Sequence, residues 1–564
     1  MEPIWIEHYE AGVPPRLDLE QKTVVDYLDA SAAKWGSRPA LTLKGKDLTY
    51  AQLKDQVDRF ATALAGLGVT RNSRVALWLP TLPQTVIAYY ATLRLGAQVV
   101  NTNPLYVERE LEHQFSDAGV SVVITLDYLW WTRLRKILGK TGVRHVIVTS
   151  LADYLPFPMK LAAPRKLKKT GQYVKVPREE NVHFFKELVA SHPPSPPAVD
   201  LSLEHVALLQ YTGGTTGVSK AAMLTHRNLS ANAQQCRAWF PIAEPGGEVV
   251  LVCLPLFHVF GMTVSMLWPI SIGARLVLMP NPRNIKDLVQ SIPRYHVTLL
   301  SALPALFVAI NGRPGIDRVD VSSIKACFSG SAPLPAEVLW RFEELTGGKI
   351  TEAYGLTETS PVTHANPLNG VRKIGSVGVP VPETDMKIVD VETGRTELPV
   401  GEEGELCIRG PQVMAGYWNR PDETANTLRD GWVYTGDLAR VDEQGYTYIV
   451  GRKKDMIVAS GYNIYPDEVD GVLFTHPAVL DAATIGVPDP RRGEAVKSFI
   501  VLEPGGSATK DEIIRHCREQ LAAYKVPRSV EFIPELPKNA MMKTLRRELR
   551  DRELARLRGH PGRC

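Results

Sequence analysis

Leu208-Leu209-Gln210-Tyr211-Thr212-Gly213-Gly214-Thr215-Thr216-Gly217-Val218-Ser219-Lys220 sets three glycines, four Thr or Ser residues and a lysine behind a short apolar run. Glycines let a backbone turn tightly and aim several N–H groups at one point. The hydroxyls donate further hydrogen bonds and the lysine adds a positive charge. Together they make a cradle for phosphate oxygens. The common nucleotide loop G-x-x-x-x-G-K-[ST] is absent, because Val218 and Ser219 stand where its second glycine would fall. The dinucleotide pattern G-x-G-x-x-G fails too. Read from residues alone, the alternative is a solvated turn between a strand and a helix seeded at Thr225-His226-Arg227-Asn228-Leu229.

Outward from this loop, composition sets the bounds. The chain has 564 residues, enough for one large unit and a small one. Hydrophobic content of 44% and charged content of 22% are those of a folded globular protein. A net charge of +4 gives no support to nucleic-acid binding. The six cysteines (Cys236, Cys253, Cys327, Cys407, Cys517, Cys564) are scattered with no C-x-x-C pair, which argues against a zinc site or a disulfide framework. The opening Met1-Glu2-Pro3-Ile4-Trp5-Ile6-Glu7 lacks the basic start and apolar core of a signal peptide. These features point to a cytoplasmic protein.

Residues 249–274 carry no Asp, Glu, Lys or Arg, a run long enough to span a bilayer. Pro255, Gly261, Pro269 and Gly273 interrupt it, so a buried strand (249–254), a loop and a buried helix (260–268) are expected instead.

The N-terminal part alternates apolar runs with helical spacing. Leu53, Val57, Phe60, Ala61 and Leu64 fall on one helix face, and 74–79 reads as a buried strand before a helix through Val86, Ala88, Tyr89, Leu93 and Leu95. Strands are also expected at 120–126, 143–148, 276–279 and 297–301. This is α/β layering with largely parallel sheets. Residues 155–180 combine Pro156, Pro158, Pro164 and Pro177 with seven Lys or Arg and no acid before Glu179. Such a segment reads as an exposed loop or as a patch for anionic lipid. Short strands from about 375, separated by turns such as Asp442-Glu443-Gln444-Gly445, mark an antiparallel β subdomain. After Arg452-Lys453-Lys454-Asp455 a compact α+β unit follows. The expected fold is therefore a large domain of layered α/β sheets (1–451) carrying a β subdomain (about 375–451). A small α+β C-terminal domain (452–564) completes it.

Tyr211-Thr212-Gly213-Gly214-Thr215-Thr216-Gly217-Val218-Ser219-Lys220 with Met223-Leu224-Thr225-His226-Arg227-Asn228 resembles the signature loop of the adenylate-forming enzymes. These are the acyl-CoA synthetases, firefly luciferase and the adenylation domains of peptide synthetases. Further motifs occur in matching order over most of the chain. They are Gly330-Ser331-Ala332-Pro333, Thr351-Glu352-Ala353-Tyr354-Gly355-Leu356-Thr357-Glu358-Thr359, Trp432-Val433-Tyr434-Thr435-Gly436-Asp437-Leu438, Gly451-Arg452-Lys453-Lys454-Asp455 and Leu536-Pro537-Lys538-Asn539-Ala540-Met541-Met542-Lys543. Together with Ser460-Gly461-Tyr462-Asn463-Ile464-Tyr465-Pro466, several look most like bacterial long-chain fatty-acid–CoA ligases.

The resemblance implies roles. Thr212, Gly213, Gly214, Thr215, Thr216, Gly217 and Lys220 would cradle ATP phosphates. Gly330, Ser331 and Ala332 would face adenine, with Tyr354 stacked on it and Gly355 beside it. Thr357 would bond a phosphate oxygen and Glu358 would ligate Mg²⁺. Asp437 and Arg452 would hold the ribose, Lys454 would be the hinge on which a mobile C-terminal domain swings, and Lys543 the catalytic lysine. His258 in Leu254-Pro255-Leu256-Phe257-His258-Val259 would orient the carboxylate at the mouth of the acyl pocket; from residues alone it reads as a core histidine. Amino-acid-activating relatives carry an aspartate hereabouts for the substrate ammonium. Residues 249–274 offer none, and a buried unpaired ammonium is costly, so a plain monocarboxylate is expected. Two positions depart from the pattern: Met542 and Ala221 stand where glycine is usual. The implied activity activates a fatty acid with Mg²⁺ and ATP as acyl-adenylate, releases pyrophosphate, and transfers the acyl group to CoA. The alternatives are a medium-chain or aromatic acid, an acyl-carrier protein as acceptor, a luciferase-like oxidation, and a non-catalytic acyl or nucleotide binder. The expected partners are small molecules, with no nucleic acid, a peripheral membrane contact through 155–180 on the inner face, and a homodimer.

Overall fold

The computed structural model describes residues 3–212, 219–459, 462–539 and 542–558. Gly213, Gly214, Thr215, Thr216 and Gly217 of the glycine-rich loop lie outside the described residues, as do Ser460 and Gly461. The chain divides into two units. The larger contains Trp5–Asp385 and Arg409–Val433; the smaller contains Met386–Ile408 and the chain from Tyr434 onward.

The larger unit is built on two sheets. The nine-stranded one runs Val379–Pro380, Val362–Ala365, Lys349–Gly355, Ala326–Ser329, Leu299–Ala302, Val249–Val252, Arg275–Leu278, Pro39–Leu43 and Lys46–Thr49. Its six central strands are parallel, and antiparallel strands finish both edges. The eight-stranded sheet runs Gly416–Tyr417, Lys220–Thr225, Val206–Thr212, Gln98–Asn101, Arg74–Trp78, Val122–Leu126, His145–Thr149 and Val182–Phe184. Parallel strands covered on both faces need continuous apolar runs, and Val122–Leu126 is buried at every position.

Helix Pro83–Arg94 shows how the layers join. Every residue from Pro83 to Leu93 is buried, and the helix touches strands of both sheets. A helix apolar all round belongs inside a protein. Helix Tyr50–Gly66 instead buries one face, including the expected Leu53, Val57, Phe60, Ala61 and Leu64, and starts on a Thr49–Gln52 capping box.

The structure differs from the sequence reading in two places. The signature loop joins two antiparallel strands, Val206–Thr212 and Lys220–Thr225, and helix His226–Trp239 starts only after the second. The apolar residues of that second strand read on both sides as part of a turn region until its pairing is known. Residues 155–180 contain a helix, Met159–Lys169, with Pro164 inside it. Ala163 is its only buried residue, and Pro156, Pro158 and Pro164 read along the chain as helix breakers. The apolar run 249–274 is strand Val249–Val252 followed by short helical segments from Val259 to Ser271. Among the described residues no helix is long and apolar enough to cross a membrane.

The smaller unit begins with strands that include Gly404–Arg409, Trp432–Val441 and Thr447–Arg452, the last two antiparallel. A five-stranded sheet follows, in the order Tyr462–Ile464, Ile457–Ala459, Gly493–Leu502 and Val479–Asp489, with Ser529–Phe532 also paired to Gly493–Leu502. Helices Pro466–Phe474 and Lys510–Gln520 cover a core of Ile457, Val469, Ile500 and Ile513. Leu549 of helix Arg546–Arg558 packs on Phe499 and Ile485.

Candidate active site

Within the larger unit, strand pairing brings several of the described nucleotide candidates together. Thr212 faces Lys220 across the hairpin that the glycine-rich loop closes. The Lys220 ammonium forms an ion pair with Glu423 and lies 5.0 Å from the centre of the Tyr417 ring. The Tyr417 hydroxyl donates to Glu358 Oε1 at 2.6 Å. Thr357 and Glu358 belong to a single 3₁₀ turn, Thr357–Thr359, at the end of strand Lys349–Gly355. The lysine, the threonine and the carboxylate therefore share one neighbourhood, joined by a tyrosine.

The loop of Gly330, Ser331 and Ala332 leaves strand Ala326–Ser329 beside Glu352-Ala353-Tyr354, since Ser329 pairs with Glu352. A Cβ on Gly330 would lie 3.1 Å from the Phe260 ring and 3.2 Å from the Ala353 carbonyl. Ser331 sits in the left-handed region at φ 71°, a conformation that favours glycine. Glu352 anchors the far side of the loop, accepting from the Leu334 N–H at 3.0 Å. Burial pushes the Glu352 carboxyl up to about 7. The Tyr354 ring meets His364 edge-on at 5.9 Å, and burial holds that imidazole neutral by pushing it down to about 3. Gly355 has a packing reason of its own: a Cβ there would lie 1.9 Å from the Pro361 carbonyl oxygen.

His258 caps the turn Val259–Met262, its Nδ1 accepting from the Phe260 N–H at 3.2 Å. Burial pushes its imidazole down to about 4. The neutral tautomer that accepts at Nδ1 carries its proton on Nε2. His258 is thus a half-buried cap whose N–H side is Nε2, and Phe260 links it to Gly330.

Sequence reasoning missed Tyr417, Glu423 and Glu352. Strand Gly416–Tyr417 reaches the hairpin by pairing with Met223 and Ala222. Nearby, Asp117 accepts from the Tyr211 hydroxyl at 2.7 Å and pairs with Arg420 at 2.7 Å. The only local signal was a Tyr417-Trp418 pair ahead of Pro421.

Within the smaller unit, Asp437 and Arg452 face each other in the strand register and form an ion pair at 2.8 Å. Asp437 is almost wholly buried. Its backbone is set by Gly436 at φ 70° and by Thr435 Oγ1, which accepts from the Asp437 N–H at 3.0 Å. Buried Glu405 holds the same turn, accepting from the Gly436 N–H at 3.1 Å and pairing with Lys453 at 3.0 Å. Lys454 lies exposed between strands Thr447–Arg452 and Ile457–Ala459.

Asn539 presents Lys543: its side-chain oxygen accepts from the Lys543 N–H, and its own N–H donates to the Lys543 carbonyl, both at 3.0 Å. Met542 adopts φ 57°. The residue that departs from the glycine pattern thus takes a glycine-like backbone, which costs a non-glycine residue roughly 1–2 kcal/mol. Crowding of the Lys543 ammonium and then the neighbouring Arg452 push this amine down to about 8, while Asp437 and Asp467 oppose the shift. The residue as a whole stays solvent-exposed. The unit therefore brings Asp437, Arg452 and Lys543 within electrostatic reach of one another.

The donor set suits a metal that arrives with its own ligands. Among the described residues no group of three or more His, Cys, Asp or Glu side chains could hold an ion alone. A lone Glu358 fits Mg²⁺, which takes one or two carboxylates and fills its octahedron with phosphate oxygens and water.

Residues 28–418 match the AMP-binding enzyme family and residues 468–543 match its C-terminal domain. The long-chain-fatty-acid–CoA ligase of Bacillus subtilis (strain 168) is 44% identical over 97% of this chain and 98% of its own length. That of Yersinia pestis is 41% identical, covering 98% of this chain and 99% of its own. Among solved structures, the anthranilate CoA ligase AuaEII in complex with anthranoyl-AMP superposes with a TM-score of 0.82 at 28% identity, covering 96% of this chain and 99% of that one. ATP-bound MatB from Rhodopseudomonas palustris superposes with a TM-score of 0.81 at 28% identity, covering 94% of this chain and 98% of that one. With both family domains present in order and relatives alike from end to end, the chain belongs to the AMP-binding enzyme family.

Proposed function

We propose that the protein is an ATP-dependent ligase that joins a long-chain fatty acid to CoA through an acyl-adenylate. The full-length likeness to the Bacillus subtilis long-chain-fatty-acid–CoA ligase carries this reading. In the first step a carboxylate oxygen attacks the α-phosphorus of ATP, the bond to the β-phosphate oxygen breaks, and pyrophosphate leaves. In the second the CoA sulfur attacks the acyl carbonyl, its proton passes to solvent, and AMP leaves.

The residues take the roles expected of them. The 212–220 loop and Lys220 hold the departing pyrophosphate, and Thr357 bonds a phosphate oxygen. The loop of Gly330, Ser331 and Ala332, with Tyr354 and Gly355, encloses adenine, and Asp437 with Arg452 holds the ribose. Lys543 donates to the carboxylate and the α-phosphate, where charge must be stabilised as the bond forms. Glu358 would hold Mg²⁺, which would supply charge neutralisation on the phosphate oxygens. The lid begins at Arg452, with Lys454 as hinge. The Nε2–H of neutral His258 orients the substrate carboxylate. Loss of one such bond to a charged carboxylate is worth about 1.5–3 kcal/mol, so His258→Ala should raise the KM for fatty acid roughly 10- to 100-fold. Because this imidazole stays neutral above about 4, it should contribute no pH dependence between pH 5 and 7.

A panel of acids from acetate to stearate tests the substrate class through pyrophosphate release, with and without CoA. Release that peaks at long chains and turns over only with CoA supports the reading. A peak at aromatic acids would move it toward relatives such as the feruloyl-CoA synthase of Amycolatopsis sp, 35% identical over 90% of this chain.

A cytoplasmic location with peripheral attachment to the inner membrane face is part of the proposal. Helix Met159–Lys169 leaves Leu161 69% exposed, and Phe157 just before it 80%. Lys46 and Lys186 flank the Tyr154 ring at 5.7 and 5.3 Å, and burial followed by repulsion from Lys160 pushes both ammoniums down. Such a cluster invites anionic headgroups. At about 1 kcal/mol per lysine, neutralising Lys160, Lys166 and Lys168 to Gln should weaken binding to phosphatidylglycerol vesicles about 10²-fold in a flotation assay. Unchanged binding would remove the helix from the account. The expected homodimer is tested by sedimentation velocity of the purified chain, where a monomer at working concentration would exclude it.

A further inference from the structure

We propose that Tyr417 is a positioning residue for the nucleotide site, its hydroxyl fixing the Glu358 carboxylate for Mg²⁺ and its ring seating Lys220. The proposal rests on the reading of Glu358 as metal ligand and of Lys220 as phosphate ligand.

Tyr417 is held before it holds anything. Its strand pairs with Lys220–Thr225 in the register Tyr417 to Ala222, and the Trp418 N–H donates to the Ala221 carbonyl at 2.9 Å. Its own N–H donates to Thr424 Oγ1 at 2.9 Å. The side chain is 7% exposed. The turn of Glu358 is tied to the same segment, the Met414 N–H donating to the Glu358 carbonyl at 2.9 Å. With both backbones fixed, the 2.6 Å bond from the hydroxyl to Oε1 sets the rotation of the carboxylate.

That rotation has a chemical consequence. Mg²⁺ demands near-ideal octahedral geometry, which a carboxylate satisfies best through one oxygen. With Oε1 accepting from the tyrosine, Oε2 would be the oxygen turned to the metal. Hydrogen-bonded outer partners of this kind orient ligating carboxylates, and their loss typically costs 10–100-fold in metal affinity. On its other side the ring face lies under the Lys220 ammonium at 5.0 Å, a cation–π seat that keeps the lysine beside the loop when it leaves Glu423 for phosphate. One side chain thus sets both the metal carboxylate and the phosphate lysine, which its strand pairing allows and its position in the sequence, 59 residues from Glu358, conceals.

The test is ATP binding by isothermal titration calorimetry on the full chain, in excess Mg²⁺ and in EDTA, with Mn²⁺ binding followed by its electron paramagnetic resonance signal. Tyr417→Phe removes only the hydroxyl. It should weaken Mg²⁺-dependent ATP binding and Mn²⁺ binding in the presence of ATP about tenfold or more, and leave ATP binding in EDTA unchanged. Tyr417→Leu should weaken ATP binding in EDTA as well. Glu358→Gln is the control for the underlying reading and should remove the Mg²⁺ enhancement. If Glu358→Gln removes it and Tyr417→Phe does not touch it, the Tyr417 proposal alone is overturned. If Glu358→Gln leaves it intact, the metal reading falls and takes the proposal with it. A Tyr417→Phe chain without a cooperative melting transition would assign the hydroxyl to folding, and would overturn the proposal too.

Discussion

Lys543→Ala should lose acyl-adenylate formation by about 10²–10³-fold, the range seen when one preorganised donor to a developing oxyanion is removed. The second half-reaction, CoA attack on preformed acyl-adenylate, should keep most of its rate. The asymmetry follows from where charge grows: the first step builds it on the α-phosphate and the attacking carboxylate, and the second builds it on the acyl carbonyl. The proton state of Lys543 adds a second signature. Crowding and Arg452 bring its amine down to about 8. A group with a lowered pKa is charged below that value and neutral above it, so kcat/KM for adenylation should fall as pH rises through about 8. The half-reaction with CoA should show no limb from this group. Equal losses in both half-reactions would mean that Lys543 supports the fold of its loop rather than the first transition state.

Asp437→Ala should raise the dissociation constant for ATP about 10²-fold and impair both half-reactions, since AMP occupies the site throughout. Two charge-assisted bonds to ribose hydroxyls are worth roughly 1.5–3 kcal/mol each, and each 1.4 kcal/mol is a factor of ten. The lower part of that range applies because Arg452 remains. Stability should change little: Arg452 is 28% exposed, so water can solvate the guanidinium left behind. Isothermal titration of ATP with a thermal melt of the same sample checks both statements. A large drop in melting temperature with unchanged ATP affinity would return Asp437 to the plain role of a turn residue.

Much of the fold follows from short-range physics. The one-sided spacing of Leu53, Val57, Phe60 and Leu64 became a one-sided helix, and the prolines and glycines of 249–274 broke a potential span into a strand and short helical turns. Helix Met159–Lys169 escaped because Pro164 inside it and Pro156 and Pro158 before it read as helix breakers. Strand Lys220–Thr225 escaped because a two-sided buried strand and the entry to a helix look alike until the partner strands are placed.

The site divides the same way. Residues proposed to act through local motifs, such as Thr357 with Glu358 or Asp437 after its Thr435-Gly436 turn, stand out along the chain. Tyr417 does not, because its meaning comes from a carboxylate on another strand end and a lysine across a hairpin. Met542 illustrates a limit of pattern matching: the motif calls for glycine, and the backbone keeps the glycine-like φ with a different side chain.

Isotope transfer tests the central claim most directly. Palmitate carrying ¹⁸O in both carboxylate oxygens, turned over with Mg·ATP and CoA, should leave one ¹⁸O in the phosphate of each AMP and none in pyrophosphate. That outcome requires the carboxylate oxygen to have bonded to the α-phosphorus. AMP without label, or label in pyrophosphate or orthophosphate, would contradict an acyl-adenylate route.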